Sequence, residues 1–424
     1  MQKIVSKCIN GLSGEISIPS DKSISHRAVM FASLAKGKTL IKNFSKGKDP
    51  HSTLNIFKSL GINVDYLSDT EIEISSKGEL IQPNKFLYCG NSGTTMRLVS
   101  GILAGQHFDS VLIGDESLSK RPMKRIIEPL TLMGAEIEAT DYHAPLKIFG
   151  QNLHGINYVS PLSSAQVKSS ILLAGLFADG VTSVTEPYVS RNHTELMLKY
   201  LGANISSNSN TVSITKSTLE PKDIYICGDI SSAAYFIVAA LIVPNSDIII
   251  RNVGLNPTRT GIIDAVKLMG GDIEILDCNE ISGEKVGDIR VKHSDLKGCE
   301  ISGKLIPKLI DELPVIAVLA TQAEGQTIIK DAADLRNKES DRISTTVCEL
   351  KKLGADILET PDGFIIIGKT ELNGGNILES YHDHRLAMSL FVAGLVCKND
   401  ILINDFEWTN ISFPEFEELF VKIS

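Results

Sequence analysis

The sequence has no run of about twenty apolar residues that could span a bilayer as a helix. It has no basic excess either. With 42 Lys and Arg against 51 Asp and Glu, the formal net charge is −9, which argues against nucleic acid or an anionic membrane as the main partner. Any cluster of cations must then be local, set in an acidic background. The seven cysteines, at 8, 89, 227, 278, 299, 348 and 397, are far apart and never in C-x-x-C spacing, as suits reduced thiols. The amino-terminal Met-Gln-Lys-Ile-Val-Ser-Lys has neither an apolar signal core nor the Arg- and Ser-rich character of a transit segment, so a cytoplasmic location is expected. No heptad seam appears, and a monomer is expected.

What the chain does have is bulk and repetition. At 424 residues, 43% hydrophobic and 22% charged, it is too long for one ordinary core, so two or more domains are expected. One phrase recurs six times: a small-residue apolar helix end, a turn, then a β-branched run closing on Asn, Asp or Glu. The copies end at Asn43, Asp115, Glu186, Asn252, Asp331 and Asn404. A second phrase, a helix ending in Leu-Gly or Met-Gly before a strand, places Gly61, Gly134, Gly202, Gly270 and Gly354 where a helix C-terminus needs positive φ. These glycines mark an α/β module of roughly seventy residues. Six modules fall three to a domain. Strand-like runs at Lys3 to Cys8 and Gly14 to Pro19 have no preceding helix and are expected to complete the last module. That puts residues 1–20 with 228–424 in one domain and 21–227 in the other, with ligands in the cleft between them and Lys22 at a hinge.

Cations gather where helices begin. Pro19 to Arg27 (PSDKSISHR) sets Lys22 and Arg27 at a helix start that Ser20 and Asp21 can cap, which fits either an anion site or a capped helix with solvated cations. Cys89 to Leu98 is a Gly-rich loop running into a helix, a cradle for an anion or a plain tight turn, and it lacks the Gly-Lys-Ser/Thr of a Walker A loop. In Asp115 to Arg125, Pro122 at a first helical position would put Arg121 beside a helix start, while Lys120 and Lys124 read as a solvated face. Ser163 to Lys168 and Ser190 to Glu195 open further helices, and Asp311-Glu312 stands at another. Lys338 and Arg342, spaced i, i+4, would share a helix face, as an anion clamp or a surface charge lattice. His382 and His384 flank Asp383, but no further His or Cys at suitable spacing supports a metal.

These motifs are PSDKSISHR (19–27), GNSGTTMR (90–97), RPM (121–123), SSAQVKS (163–169), SRNHTE (190–195), DELP (311–314), LRNKESDR (335–342) and DHRLAM (383–388). In this order, over essentially the full length, they resemble the 5-enolpyruvylshikimate-3-phosphate synthase (3-phosphoshikimate 1-carboxyvinyltransferase) family. The resemblance implies a two-domain inside-out α/β barrel of six βαβαββ repeats. It also implies a reaction of the shikimate pathway, in aromatic amino acid and chorismate biosynthesis, that needs no cofactor and no metal. The 5-hydroxyl of shikimate 3-phosphate attacks C2 of phosphoenolpyruvate, a tetrahedral ketal phosphate forms, and phosphate leaves.

By the same resemblance, Asp311 accepts the hydroxyl proton, while Glu339 and Lys22 share proton traffic at C3 of phosphoenolpyruvate. Shikimate 3-phosphate falls to Lys22, Ser23, Arg27, Ser164, Ala165, Gln166, Arg191, Asp311 and Lys338. Phosphoenolpyruvate falls to Lys22, Asn91, Gly93, Thr94, Arg121, Gln166, Arg342 and Arg385. Ile411 stands where many relatives carry a Lys shortly before the final Phe-Pro, and Lys398 lies too far upstream to replace it. SAQVK, RNHTE and NPTR (256–259) look like the glyphosate-tolerant branch, whereas Asp115-Glu116 departs from that branch's Asp-Lys. The alternative, the sister transferase acting on UDP-N-acetylglucosamine, typically has Lys-Asn where Lys22-Ser23 stands and a reactive Cys in the loop matching 115–123, which has none.

Overall fold

The computed structural model describes all residues from Met1 to Ser424. They divide into two compact units. Unit I comprises Met1–Pro19, Cys227–Asn279 and Lys285–Ser424; unit II comprises Ser20–Ile226 and Glu280–Glu284. The fold is mixed α/β with six separate sheets, five of four strands and one of three.

A representative repeat in unit II runs Leu87–Tyr88, helix Gly93–Ala104, Ser110–Ile113, helix Lys124–Leu132, Glu136–Thr140, His143–Phe149. The first strand pairs parallel with the second, the fourth pairs antiparallel with the second, and the third closes the edge as a hairpin partner of the fourth. The repeats at 157–215 and 300–368 share this order. The turn before the hairpin depends on glycine: Gly61, Gly134, Gly202, Gly270 and Gly354 all have φ between 80° and 93°, in the left-handed region where a side chain is strained. Three of the six phrases close on a residue in the left-handed region, Asn43, Asn252 and Asp331 at φ 57°, 54° and 65°, a conformation that Asn and Asp tolerate better than most.

The two helices of a repeat differ in kind. The first helix is enclosed: all nine residues of Leu313–Thr321 and twelve of the thirteen in Ile230–Ile242 are buried, as expected of a helix apolar all round. The second is amphipathic, burying only one stripe, such as Ile126, Ile127, Pro129 and Leu130 in Lys124–Leu132. First helices pack closely. A Cβ on Gly101 would lie 2.1 Å from the Ser170 carbonyl oxygen, so only glycine lets helices Gly93–Ala104 and Ala165–Gly175 approach at that point.

The first strands of two repeats are exchanged along the chain. Strand Ser13–Ser17, which leads into helix Lys22–Leu34, pairs parallel with Asp247–Gly254 in unit I. Strand Ile224–Tyr225, which leads into helix Ile230–Ile242, pairs parallel with Lys36–Lys42 in unit II. This corrects the expectation that both amino-terminal runs complete the last module. Only Lys3–Val5 does so, antiparallel to Ile401–Asn404, and that sheet stops at three strands. The carboxy-terminal segment packs Phe413, Phe416 and Phe420 against Phe236 and Phe391. No helix is long and apolar enough to cross a membrane.

Candidate active site

Five of the six enclosed helices begin with a side-chain cap at the same place in the repeat. Asp21, Ser92, Ser164, Asp229 and Asp383 each accept a hydrogen bond from a backbone N–H of the first turn. The sixth, Leu313–Thr321, carries Pro314 in its first turn instead. Each capped start leaves other first-turn N–H groups and the positive end of the helix dipole available to an anion.

In unit II, Lys22 occupies the first position of helix Lys22–Leu34, and its Nζ lies 3.0 Å from Asp49 Oδ2. Arg27, one turn on, is buried. Its Nε donates to Thr194 Oγ1 at 2.7 Å, and its two terminal nitrogens donate to the Ser23 carbonyl at 2.8 Å and Ser169 Oγ at 2.9 Å. Burial pulls its pKa down to about 10, against the pull of Glu195 and Asp21, so it stays charged at neutral pH. His26, between them, is fully enclosed, and burial pushes its pKa down to about 3.

The Gly-rich loop brings the next group together. Arg97 donates to Gln166 Oε1 at 2.7 Å, and Gln166 Nε2 donates to Thr94 Oγ1 at 3.1 Å. Asn91 bridges Asp115 and Arg121: its Nδ2 donates to Asp115 Oδ2 and its Oδ1 accepts from Arg121, both at 2.8 Å. A Cβ on Gly93 would lie 2.7 Å from one terminal nitrogen of Arg97 and 3.7 Å from one of Arg121, so both guanidinium groups flank this glycine. Pro122 is not a first helical residue. The helix starts at Lys124 after Met123, and Asp115 instead caps a short preceding helix, Glu116–Ser119. Lys120 and Lys124 pair with Glu116 and Glu128 on an exposed face. Ser164 caps helix Ala165–Gly175 and its N–H donates to Glu186 Oε1 at 2.9 Å; Ala165 and Gln166 form the first turn. Arg191 stands half-buried just before helix His193–Tyr200.

In unit I, three carboxylates converge on one guanidinium, two of them, Asp311 and Glu339, predicted. Arg342 is 1% exposed. It pairs with Asp383 Oδ2 at 2.7 Å, Glu339 Oε2 at 2.6 Å and Asp311 Oδ1 at 3.3 Å. Lys338 Nζ lies 3.5 Å from the same Asp311 oxygen and 3.5 Å from Asp334 Oδ2. Burial pulls the Arg342 pKa down, but Asp383 and Glu339 outweigh it and the guanidinium is held more firmly charged than usual. Lys338 and Arg342 do not share a helix face. Lys338 is extended after the short 3-10 helix Ala333–Asn337, and Asp341 caps the helix that begins at Arg342. Arg385 is the one residue of helix His384–Gly394 that is not fully buried. Burial lowers its pKa, while Asp311, Tyr235, Glu312 and Asp229 raise it further.

Sequence reasoning gave no role to Asp49, weighed Asp383 only as a metal candidate and Glu186 only as the close of a repeat, and missed the depth of Lys168. Asp383 had a signal, an Asp directly before an apolar helix. Lys168 had one too, a lone cation among Val167, Ile171 and Leu172. Lys398 pairs with Glu371 on the surface. No cluster of three or more His, Cys, Asp or Glu side chains has the geometry to hold a metal ion.

Sixfold repetition with hydroxyls, glycines and cations at successive helix starts defines an anion-binding α/β repeat protein. Comparison narrows the class. The family model for EPSP synthase (3-phosphoshikimate 1-carboxyvinyltransferase) matches residues 7–420, and the chain belongs to that family. It is 52% identical to a 3-phosphoshikimate 1-carboxyvinyltransferase of Geotalea uraniireducens, covering 100% of this chain and 99% of the relative. It is 55% identical to that of Thermoanaerobacter sp. strain X514, covering 96% and 97%. A 2.37 Å structure of EPSP synthase from Acinetobacter baumannii superposes with a TM-score of 0.90 at 44% identity, covering 100% of this chain and 98% of that one.

Proposed function

We propose a division of labour for the reaction this chain catalyses, transfer of the enolpyruvyl group of phosphoenolpyruvate to the 5-hydroxyl of shikimate 3-phosphate with release of phosphate. Two substrates bring two phosphates and two carboxylates together, so the first task is to screen their repulsion. Lys22, Arg121, Arg342 and Arg385 do so for phosphoenolpyruvate, with Asn91, Gly93, Thr94 and Gln166 supplying neutral contacts. Ser23, Arg27, Ser164, Ala165, Gln166, Arg191 and Lys338 receive shikimate 3-phosphate.

Asp311 takes the 5-hydroxyl proton. The observation that carries this role is its position, 3.3 Å from Arg342 and 3.5 Å from Lys338. A carboxylate within reach of a bound hydroxyl can accept its proton, and the two cations favour the incoming anions beside it. As the hydroxyl oxygen bonds to C2, a proton must reach C3, and after the ketal phosphate forms one must leave the new methyl group as phosphate departs. Glu339, 2.6 Å from Arg342, and Lys22 divide that traffic.

Phosphate release from phosphoenolpyruvate, with and without shikimate 3-phosphate, tests the reading. Release should require shikimate 3-phosphate and fall about 10²- to 10⁴-fold in Asp311→Ala. Release that instead requires UDP-N-acetylglucosamine would refute it. The protein is read as cytoplasmic, in keeping with its seven free thiols, and as a monomer, which light scattering would check.

A further inference from the structure

One cation is folded into an otherwise apolar and hydroxyl-bearing helix. Lys168, in Ala165–Gly175, is 1% exposed. Its Nζ lies 2.9 Å from Glu186 Oε2 and 2.8 Å from Glu195 Oε1, and it donates to the Ser190 carbonyl at 3.2 Å. Burial pulls its pKa down, but Glu195 and Glu186 outweigh burial, so the ammonium remains charged. An unpaired ammonium in such a place would be strongly unfavourable. Its retention calls for a role beyond packing.

Glu186 does two things at once. Its Oε1 accepts the Ser164 N–H at 2.9 Å, and its Oε2 accepts the Ser190 N–H at 3.2 Å and the Ser190 hydroxyl at 2.8 Å. One carboxylate therefore holds the capping residue of helix Ala165–Gly175 and the residue directly before Arg191. Both segments carry residues assigned above to shikimate 3-phosphate, Ser164 and Arg191, and a hydroxyl at a helix start together with a guanidinium suits its phosphate. A bare carboxylate there would repel that phosphate; paired with Lys168 it does not.

We propose that Glu186 and Lys168 are positioning residues for the phosphate of shikimate 3-phosphate. Glu186 fixes Ser164 and Ser190-Arg191 in the receiving arrangement, and Lys168 cancels the charge that would oppose the incoming anion. The inference rests on the assignment of Ser164 and Arg191 to that phosphate. Glu195 completes the balance. With Arg27, whose bonds to Thr194 and Ser169 place it beside this set, the buried group holds two cations and two carboxylates. Lys168→Met alone leaves an excess carboxylate, whereas Lys168→Met with Glu195→Gln restores neutrality. Glu186→Gln is nearly isosteric, but its amide accepts on one side only and so must release either Ser164 or Ser190.

The test is calorimetric binding of shikimate 3-phosphate and of shikimate, which lacks the phosphate, with steady-state constants alongside. The variants are Lys168→Met, Glu186→Gln and Lys168→Met/Glu195→Gln, with Ser164→Ala and Arg191→Ala as references. Lys168→Met and Glu186→Gln should each weaken shikimate 3-phosphate about tenfold or more, leave shikimate within about twofold, and raise KM for shikimate 3-phosphate far more than they lower kcat. The double variant should recover most of the loss. Equal losses for both ligands, or no recovery in the double variant, overturn the proposal. A loss in the reference variants without one in Lys168→Met and Glu186→Gln overturns the positioning role alone. No loss in the references overturns the phosphate assignment beneath it. If Lys168→Met does not fold, Glu186→Gln decides the matter.

Discussion

Arg342 and Asp383 meet at two points, Nε to Oδ2 at 2.7 Å and a terminal nitrogen to Oδ1 at 3.1 Å, with side chains 1% and 0% exposed. The same Oδ1 accepts the Arg385 N–H at 2.9 Å as the cap of helix His384–Gly394. The pair thus fixes one of the cations proposed for phosphoenolpyruvate, Arg342, and sets the helix start that carries another, Arg385.

Removing one partner of a buried ion pair strands the other, which costs about 3–5 kcal/mol. Arg342→Met should therefore lose stability on that scale in urea denaturation, as well as affinity for phosphoenolpyruvate. A variant that binds phosphoenolpyruvate poorly yet unfolds at the parent's midpoint would show that Asp383 is satisfied without Arg342.

Asp383 also predicts an acid limit. Burial pushes its pKa up, but Arg342 outweighs burial and the folded value lies below the ordinary one. A carboxyl depressed in the folded state binds fewer protons there than in the unfolded chain. Its stabilisation is present above the unfolded pKa, about 3.9, and is lost as pH falls through the folded value. Asp383→Asn keeps a capping oxygen and removes the titration. Unfolding free energies measured from pH 5 downward should fall less steeply below about pH 4 in the variant; parallel curves would contradict the assignment.

Gly93→Ala places a methyl group 2.7 Å from an Arg97 nitrogen. Arg97 cannot simply swing away, because Gln166 Oε1 holds its guanidinium at 2.7 Å and Gln166 in turn holds Thr94. The displacement should pass to both predicted phosphoenolpyruvate contacts. KM for phosphoenolpyruvate should rise, by up to about 10²-fold if the shift approaches 1 Å, with the KM for shikimate 3-phosphate moving less. An unchanged KM for phosphoenolpyruvate would place the substrate away from Gly93.

The repeat and its turns were readable because local stereochemistry leaves a mark in composition: Gly61 and its four counterparts need positive φ, and Asn43, Asn252 and Asp331 tolerate it. The exchange of strands Ser13–Ser17 and Ile224–Tyr225 leaves no such mark. Either strand would serve either sheet by its own pattern, and partner choice is made by long-range packing. Lys338 and Arg342 were misplaced on one helix because charge spacing was weighed above Asp341, whose side chain caps Ile343 and Ser344 and so starts the helix after Lys338. Site residues in the motifs are assigned by resemblance alone. Glu186 lay outside the eight family motifs and read only as the close of a repeat; the role proposed for it depends on Lys168, Ser164 and Ser190 coming together.

His26 carries the last prediction. Its Nδ1 lies 2.7 Å from Thr53 Oγ1, Thr53 bonds Thr95 at 2.8 Å, and Thr95 bonds the capping Ser92 at 2.8 Å. This chain of hydroxyls ties the helix bearing Lys22 and Arg27 to the start of the helix bearing Gly93 and Thr94. The ring's Nε2 is buried without a partner, so a proton there would meet no acceptor, and burial holds the pKa at about 3. The unfolded chain's histidine titrates near 6.5, so between those values the unfolded state binds the extra proton. The stabilisation is complete above about pH 6.5 and falls as pH drops toward the folded value, by up to ~1.4 kcal/mol per pH unit. That window lies above the one set by Asp383, so the two effects separate along the pH axis. His26→Asn keeps a partner for Thr53 and abolishes the titration. Its unfolding free energy should be flatter than the parent's from pH 6.5 to about 4. Equal slopes would mean that the imidazole takes up its proton inside the fold, and the neutral hydroxyl chain linking the two helices would have to be abandoned.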